Sequence, residues 1–96
     1  RGIAYRKKGE YDLAIKDYTE AIRLKPDYAE AYLNRGVAYG NKGEYDLAIK
    51  DYSEAIRLKP DYAEPYYERG LAYQERGLKA NAAADFAKAK ELGYPP

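Results

Sequence analysis

The sequence predicts an all-α solenoid of antiparallel helix–turn–helix repeats, and three observations point to it. Sliding the chain against itself by 34 positions aligns residues 1–28 with 35–62, and 24 of those 28 pairs are identical. Within a period, residues recur at helical spacing, as do Tyr32, Gly36 and Tyr39, and then Leu47, Ala48, Asp51, Tyr52, Ala55 and Ile56. Each period also carries its own punctuation, with Gly9, Gly43 and Gly77 near the middle and Pro26 and Pro60 at the ends of the first two. A unit this short cannot bury its own apolar face and must stack on its neighbours, so a fixed period of this length implies a solenoid.

Each unit then resolves into two helices, expected over residues 1–8, 11–24, 29–41, 45–58, 63–75 and 79–92. Asp27 and Asp61 precede apolar-periodic runs and are followed three residues later by Glu30 and Glu64, the pattern of an N-cap with its acidic capping-box partner. The mid-unit glycines stand where a tight turn calls for positive φ, and the prolines close the second helices. Shifting residues 29–62 onto 63–96 keeps Tyr32/Tyr66, Gly36/Gly70, Tyr39/Tyr73, Gly43/Gly77 and Ala48/Ala82. The chain therefore divides into a truncated first unit (1–28), a second (29–62) and a third (63–96), about two and a half to three units in one domain.

Composition narrows the chemistry. The 17 basic and 16 acidic residues are spread evenly, without the positive excess that nucleic acid or an anionic membrane requires. Neither histidine nor cysteine occurs, which removes the commonest general base, the commonest metal ligand and any thiol nucleophile. No enzyme activity, cofactor or metal is expected. No apolar run has membrane-spanning length and no signal peptide is visible, so a soluble protein is expected, cytoplasmic by default.

The second unit is similar to a tetratricopeptide repeat. That family's pattern of aromatic, two residues, Leu-Gly, two residues, Tyr, later Ala, three residues, aromatic, and finally Pro is matched by Tyr32, Gly36, Tyr39, Ala48, Tyr52 and Pro60. Arg35 departs from it, standing where the family often has leucine, and the arginine recurs as Arg1 and Arg69. Asp17, Asp51 and Asp85 recur in step with these arginines, so each unit is expected to hold one Arg–Asp surface pair. Gly36 and Ala48, like Gly2/Ala14 and Gly70/Ala82, are expected to meet where the two helices cross, with most of the 13 tyrosines filling the core around them.

The ends of the array read differently. In the third unit Lys79, Asn81 and Ala83 replace Tyr45, Leu47 and Ile49, and Lys90 replaces Ile56, as a polar terminal cap requires. Arg1 falls midway through a first helix, so earlier repeats and an uncapped face open to self-association are expected before it.

The resemblance implies a right-handed superhelix whose first helices line a concave face. Carried over residue by residue, the peptide-binding candidates are Ile3, Arg6 and Lys7; Leu33, Asn34, Val37, Gly40 and Asn41; and Tyr67, Glu68, Leu71, Gln74 and Glu75. Three of the four differences between the first two units, Ile3/Val37, Arg6/Gly40 and Lys7/Asn41, fall on this set, and the row Lys7, Asn41, Glu75 grades from basic to acidic. A subset of the family grips the acidic tails of chaperones with two lysines, two asparagines and an arginine. Only Asn34 matches that clamp, while Glu64 and Glu68 stand where two of its bases would be, so an acidic chaperone tail is a disfavoured partner. The function expected is a non-catalytic scaffold for a peptide or protein, the alternatives being a substrate-recruiting or self-assembling module of a larger protein.

Overall fold

A computed structural model describes residues 8–94, and five α-helices account for most of them: α1 (Lys8–Leu24), α2 (Ala29–Asn41), α3 (Tyr45–Leu58), α4 (Ala63–Glu75) and α5 (Lys79–Glu91). Packing follows chain order, α1 on α2, α2 on α3, α3 on α4 and α4 on α5, with a further contact between α2 and α4. This is the all-α solenoid, with α2–α3 and α4–α5 as its helix pairs. Any ion pair of Arg1 with Asp17, the Gly2/Ala14 crossing and the candidates Ile3, Arg6 and Lys7 lie outside the described residues.

The turn inside each complete unit is built as its glycine requires. Gly43 has φ 84°, and the N–H groups of Gly43 and Glu44 reach back to the carbonyls of Gly40 (3.0 Å) and Tyr39 (2.9 Å), closing the end of α2. Gly77 repeats this, with φ 78° and the Leu78 N–H on the Tyr73 carbonyl at 2.9 Å. Gly9 differs from expectation. It lies inside an unbroken α1, although Lys8-Gly9-Glu10-Tyr11 duplicates Lys42-Gly43-Glu44-Tyr45. Glycine accepts either conformation, and what selects the turn at Gly43 is its set of hydrogen bonds to α2.

The expected aspartate caps are also absent. The N-cap residues of α2 and α4 are Tyr28 and Tyr62, neither with a side-chain cap. Asp27 and Asp61 instead follow proline at the corners of two β-turns, closed by Tyr28 N–H on the Lys25 carbonyl (3.1 Å) and Tyr62 N–H on that of Lys59 (3.0 Å). With the aspartate occupying the corner, no capping box forms and Glu30 and Glu64 are left for other work.

The buried core is mostly small: Ala31, Ala38, Ala48, Ala55, Ala72, Ala82 and Ala89, with Leu33, Tyr52 and Pro65 as its larger members. Pro65 fits without loss because it stands in the first turn of α4, where its missing N–H would have no helical acceptor. Of the described tyrosines only Tyr52 is buried; Tyr39, Tyr45 and Tyr62 pack half-buried against its cluster. Tyrosine thus borders an alanine core rather than filling it. At the helix crossing the nearest atoms to Gly36 are those of the Tyr52 ring, and the nearest to Gly70 are those of the Phe86 ring.

The Arg–Asp pairs form in both complete units, but with buried carboxylates. Arg35 donates from Nε and Nη2 to the two oxygens of Asp51, both at 2.8 Å, and Arg69 does the same to Asp85 at 2.7 and 2.9 Å. Asp51 and Asp85 are only 4 % and 5 % exposed, so these are core elements and not surface pairs. The third nitrogen reaches the previous unit, from Arg35 Nη1 to Thr19 Oγ1 (3.1 Å) and from Arg69 Nη1 to Ser53 Oγ (3.0 Å). The Thr19/Ser53 difference between units therefore conserves a hydroxyl acceptor. Tyr32 and Tyr39 flank the Arg35 guanidinium at 5.6 and 5.8 Å, as Tyr66 and Tyr73 flank Arg69, completing the site with cation–π contacts.

Candidate functional site

A groove opens between the first helices of the two complete units. Its cavity of about 190 Å³ is lined by Val37, Gly40 and Asn41 of α2, Tyr45 and Tyr52 of α3, and Glu68, Leu71, Ala72 and Glu75 of α4. The floor exists because of residue size. Gly40 has no side chain to fill it, and a Cβ there would lie 3.7 Å from the Tyr52 hydroxyl and 4.0 Å from Ala48 Cβ. Tyr52 rises from α3 beneath that gap, Val37 is half-buried, and Leu71 is 36 % exposed, giving an apolar surface open on one side.

Of the sequence candidates, Val37, Gly40, Asn41, Glu68, Leu71 and Glu75 come together here. Asn34 and Gln74 are exposed but do not line the cavity. Tyr67 is turned to the end of the array, its ring 5.5 Å from Phe86 and 5.3 Å from Tyr94. Leu33 is 3 % exposed and belongs to the core cluster with Ala48, Tyr52 and Ala72, so its side chain is committed to packing. The resemblance put Leu33 and Val37 together on the concave face, but a solenoid helix is covered by neighbours on two sides, and the buried arc extends over Leu33.

Tyr45 and Tyr52 are contributors that sequence reasoning assigned to the core alone. Both stand on the second helix of the unit, Tyr52 reaches the groove beneath Gly40, and the small residue at Gly40 was the available signal. Glu64 was assigned to a cap. It bears on the groove electrostatically: burial first, then Glu68, Asp51 and Glu64, push the Tyr52 phenol well above its ordinary range. Burial, with Glu64 and Glu30, pushes the Tyr62 phenol up to about 12. Glu68, half-buried, has its carboxyl raised by burial and by the neighbouring charge of Glu64.

A second depression, lined by Tyr32, Arg35, Tyr39, Leu47, Lys50, Asp51 and Glu54, lies over the Arg35–Asp51 pair. Its central polar groups already satisfy one another, leaving the groove as the surface with unspent chemistry. Outside both, Lys42 pairs with Asp12, and Arg76 pairs with Asp46 at 2.9 Å, one period later in both members. These exposed pairs tie consecutive units together weakly.

Comparison with known proteins agrees with this geometry. A family model for the TPR repeat matches residues 2–43 and 41–77, and a model for the tetratricopeptide repeat matches residues 63–92. No curated protein matches the chain. Among solved structures, MamA is 40 % identical with a TM-score of 0.83 over 86 % of this chain and 48 % of its own, so the chain spans about half the length of that relative. The second TPR of Spaghetti (RPAP3), bound to the HSP90 peptide SRMEEVD, is 34 % identical with a TM-score of 0.85, over 96 % of this chain and 85 % of its own. The first TPR of the same protein, bound to the same peptide, is 29 % identical with a TM-score of 0.88, over 99 % and 75 %.

Proposed function

The chain belongs to the tetratricopeptide-repeat family, and from that premise we propose that it is a non-catalytic interaction scaffold holding an extended peptide or protein segment in the groove between α2 and α4. The observation that carries the proposal is the half-open apolar floor of Val37, Leu71, Tyr45 and Tyr52, edged by Asn41, Glu68 and Glu75. An apolar seat with polar edges suits one anchoring side chain and the backbone beside it. The peptide-bound TPRs of Spaghetti support a peptide as the class of occupant. The non-catalytic reading is supported by composition, since the chain has neither histidine, the commonest general base, nor a cysteine nucleophile.

The test is a peptide selected on the chain from a displayed random library and then titrated against Val37→Gln. Glutamine is neutral and polar, so it removes the apolar contact without adding charge. Affinity is expected to fall about tenfold, the loss of one good apolar anchor. Helicity should be kept and Tm should fall moderately, because Val37 is half-buried but packs against the core cluster, so affinities are compared at a temperature where both chains are folded. Leu33→Gln, by contrast, should unfold the chain outright, since it places an amide in the core. Unchanged affinity in Val37→Gln would place the ligand elsewhere.

A further inference from the structure

Among the described residues, the lining of the groove carries charge of one sign. Glu68 and Glu75 line it, and Glu64 stands one helical turn before Glu68. None of the three forms an ion pair with another described residue. Among the described residues of α2, α4 and the turns that follow them, the basic side chains are engaged elsewhere, Lys42 by Asp12 and Glu44, Arg76 by Asp46, Arg35 by Asp51 and Arg69 by Asp85. Glu68 is half-buried beside Glu64, so two like charges share a partly desolvated position with no ion-pair partner among the described residues. Their repulsion disfavours the folded chain, whereas a cation brought by a ligand would offset it.

We propose that the occupant of the groove is a basic segment, which seats an apolar side chain on Val37 and Leu71 and an adjoining lysine or arginine against Glu68 and Glu75. The inference rests on the groove reading above and specifies the partner for it. Complementary charge gives the selection: the carboxylates that attract a basic peptide repel an acidic one, at an apolar seat that would otherwise accept either.

A displayed library of random peptides, selected on the chain and counter-screened on Val37→Gln, separates the two claims. The expected pool carries lysine or arginine next to an apolar residue and loses binding in Val37→Gln. One of its peptides, made synthetically, should then bind the Glu68→Gln/Glu75→Gln double variant about tenfold more weakly, and bind the native chain less tightly as salt rises. Glu54→Gln, in the depression over Arg35, should leave affinity unchanged. The double variant should melt no lower than the native chain, because neutralising Glu68 relieves its repulsion with Glu64. A pool without basic bias that still depends on Val37 leaves the groove reading standing and overturns the basic partner. A pool indifferent to Val37, or none at all, overturns both.

Discussion

Arg35→Leu is expected to cost the chain about 3–5 kcal/mol, even though leucine is the residue the family often carries at that position. The loss comes from what remains. Asp51 is 4 % exposed and takes both of its short hydrogen bonds from the guanidinium, so removing Arg35 strands a carboxylate in the core. The hydrogen bond to Thr19 and the packing between Tyr32 and Tyr39 are lost with it. Small domains are stable by only about 5–15 kcal/mol, so the loss should show as a large fall in the urea midpoint. One further result would separate the stranded charge from simple loss of contact. The double variant Arg35→Leu/Asp51→Ala should recover much of the stability, because an ion pair replaced on both sides leaves nothing unpaired. An Arg35→Leu variant as stable as the native chain would show that the pair does not hold the fold.

How much of this was legible in sequence depends on whether a feature is local. The helices were, because a nearly exact repeat supplies the same apolar spacing twice, and the Arg–Asp pairing followed from residues that recur in step. The burial of that pair was not, since a periodic carboxylate looks alike on a surface and beneath two tyrosines. Lys8-Gly9-Glu10-Tyr11 and Lys42-Gly43-Glu44-Tyr45 make the limit concrete: one tetrapeptide, helical in the first place and a turn in the second. Local composition permits both, and at Gly43 the turn is closed by hydrogen bonds to the carbonyls of Tyr39 and Gly40. The groove was half legible. Val37, Gly40, Asn41, Glu68, Leu71 and Glu75 were found from the resemblance, whereas Glu64 was assigned to a cap because spacing alone could not show that Pro-Asp would form a β-turn and leave the glutamate free. Leu33 failed for the opposite reason, since the stripe it shares with Val37 is wider than the groove.

Gly36→Ala sets two general tendencies against each other, and the geometry settles the sign. Alanine is favoured over glycine inside a helix by about 1 kcal/mol, and α2 would gain that amount if nothing else changed. But a Cβ on Gly36 would lie 2.6 and 2.8 Å from two ring carbons of Tyr52, which is 3 % exposed. The ring carbons are not the far end of a flexible chain, so either α2 moves off α3 or the ring leaves its rotamer. Overpacking of this kind typically costs about 1–3 kcal/mol beyond any propensity gain. The native chain should therefore be destabilised by Gly36→Ala in thermal unfolding. If Tyr52 is first shortened to leucine, the obstruction is gone and the same substitution should become neutral or stabilising. Gly70 provides the repeat of the experiment within one molecule, since a Cβ there would meet the Phe86 ring at the same 2.6 and 2.8 Å. Loss at both glycines, with reversal in the Tyr52→Leu background, would establish that each unit's first glycine exists to admit the aromatic ring of its second helix. Stabilisation by Gly36→Ala in the native background would show instead that the ring yields. In that event the floor of the groove, which rests on the same tyrosine, would be softer than its packing implies.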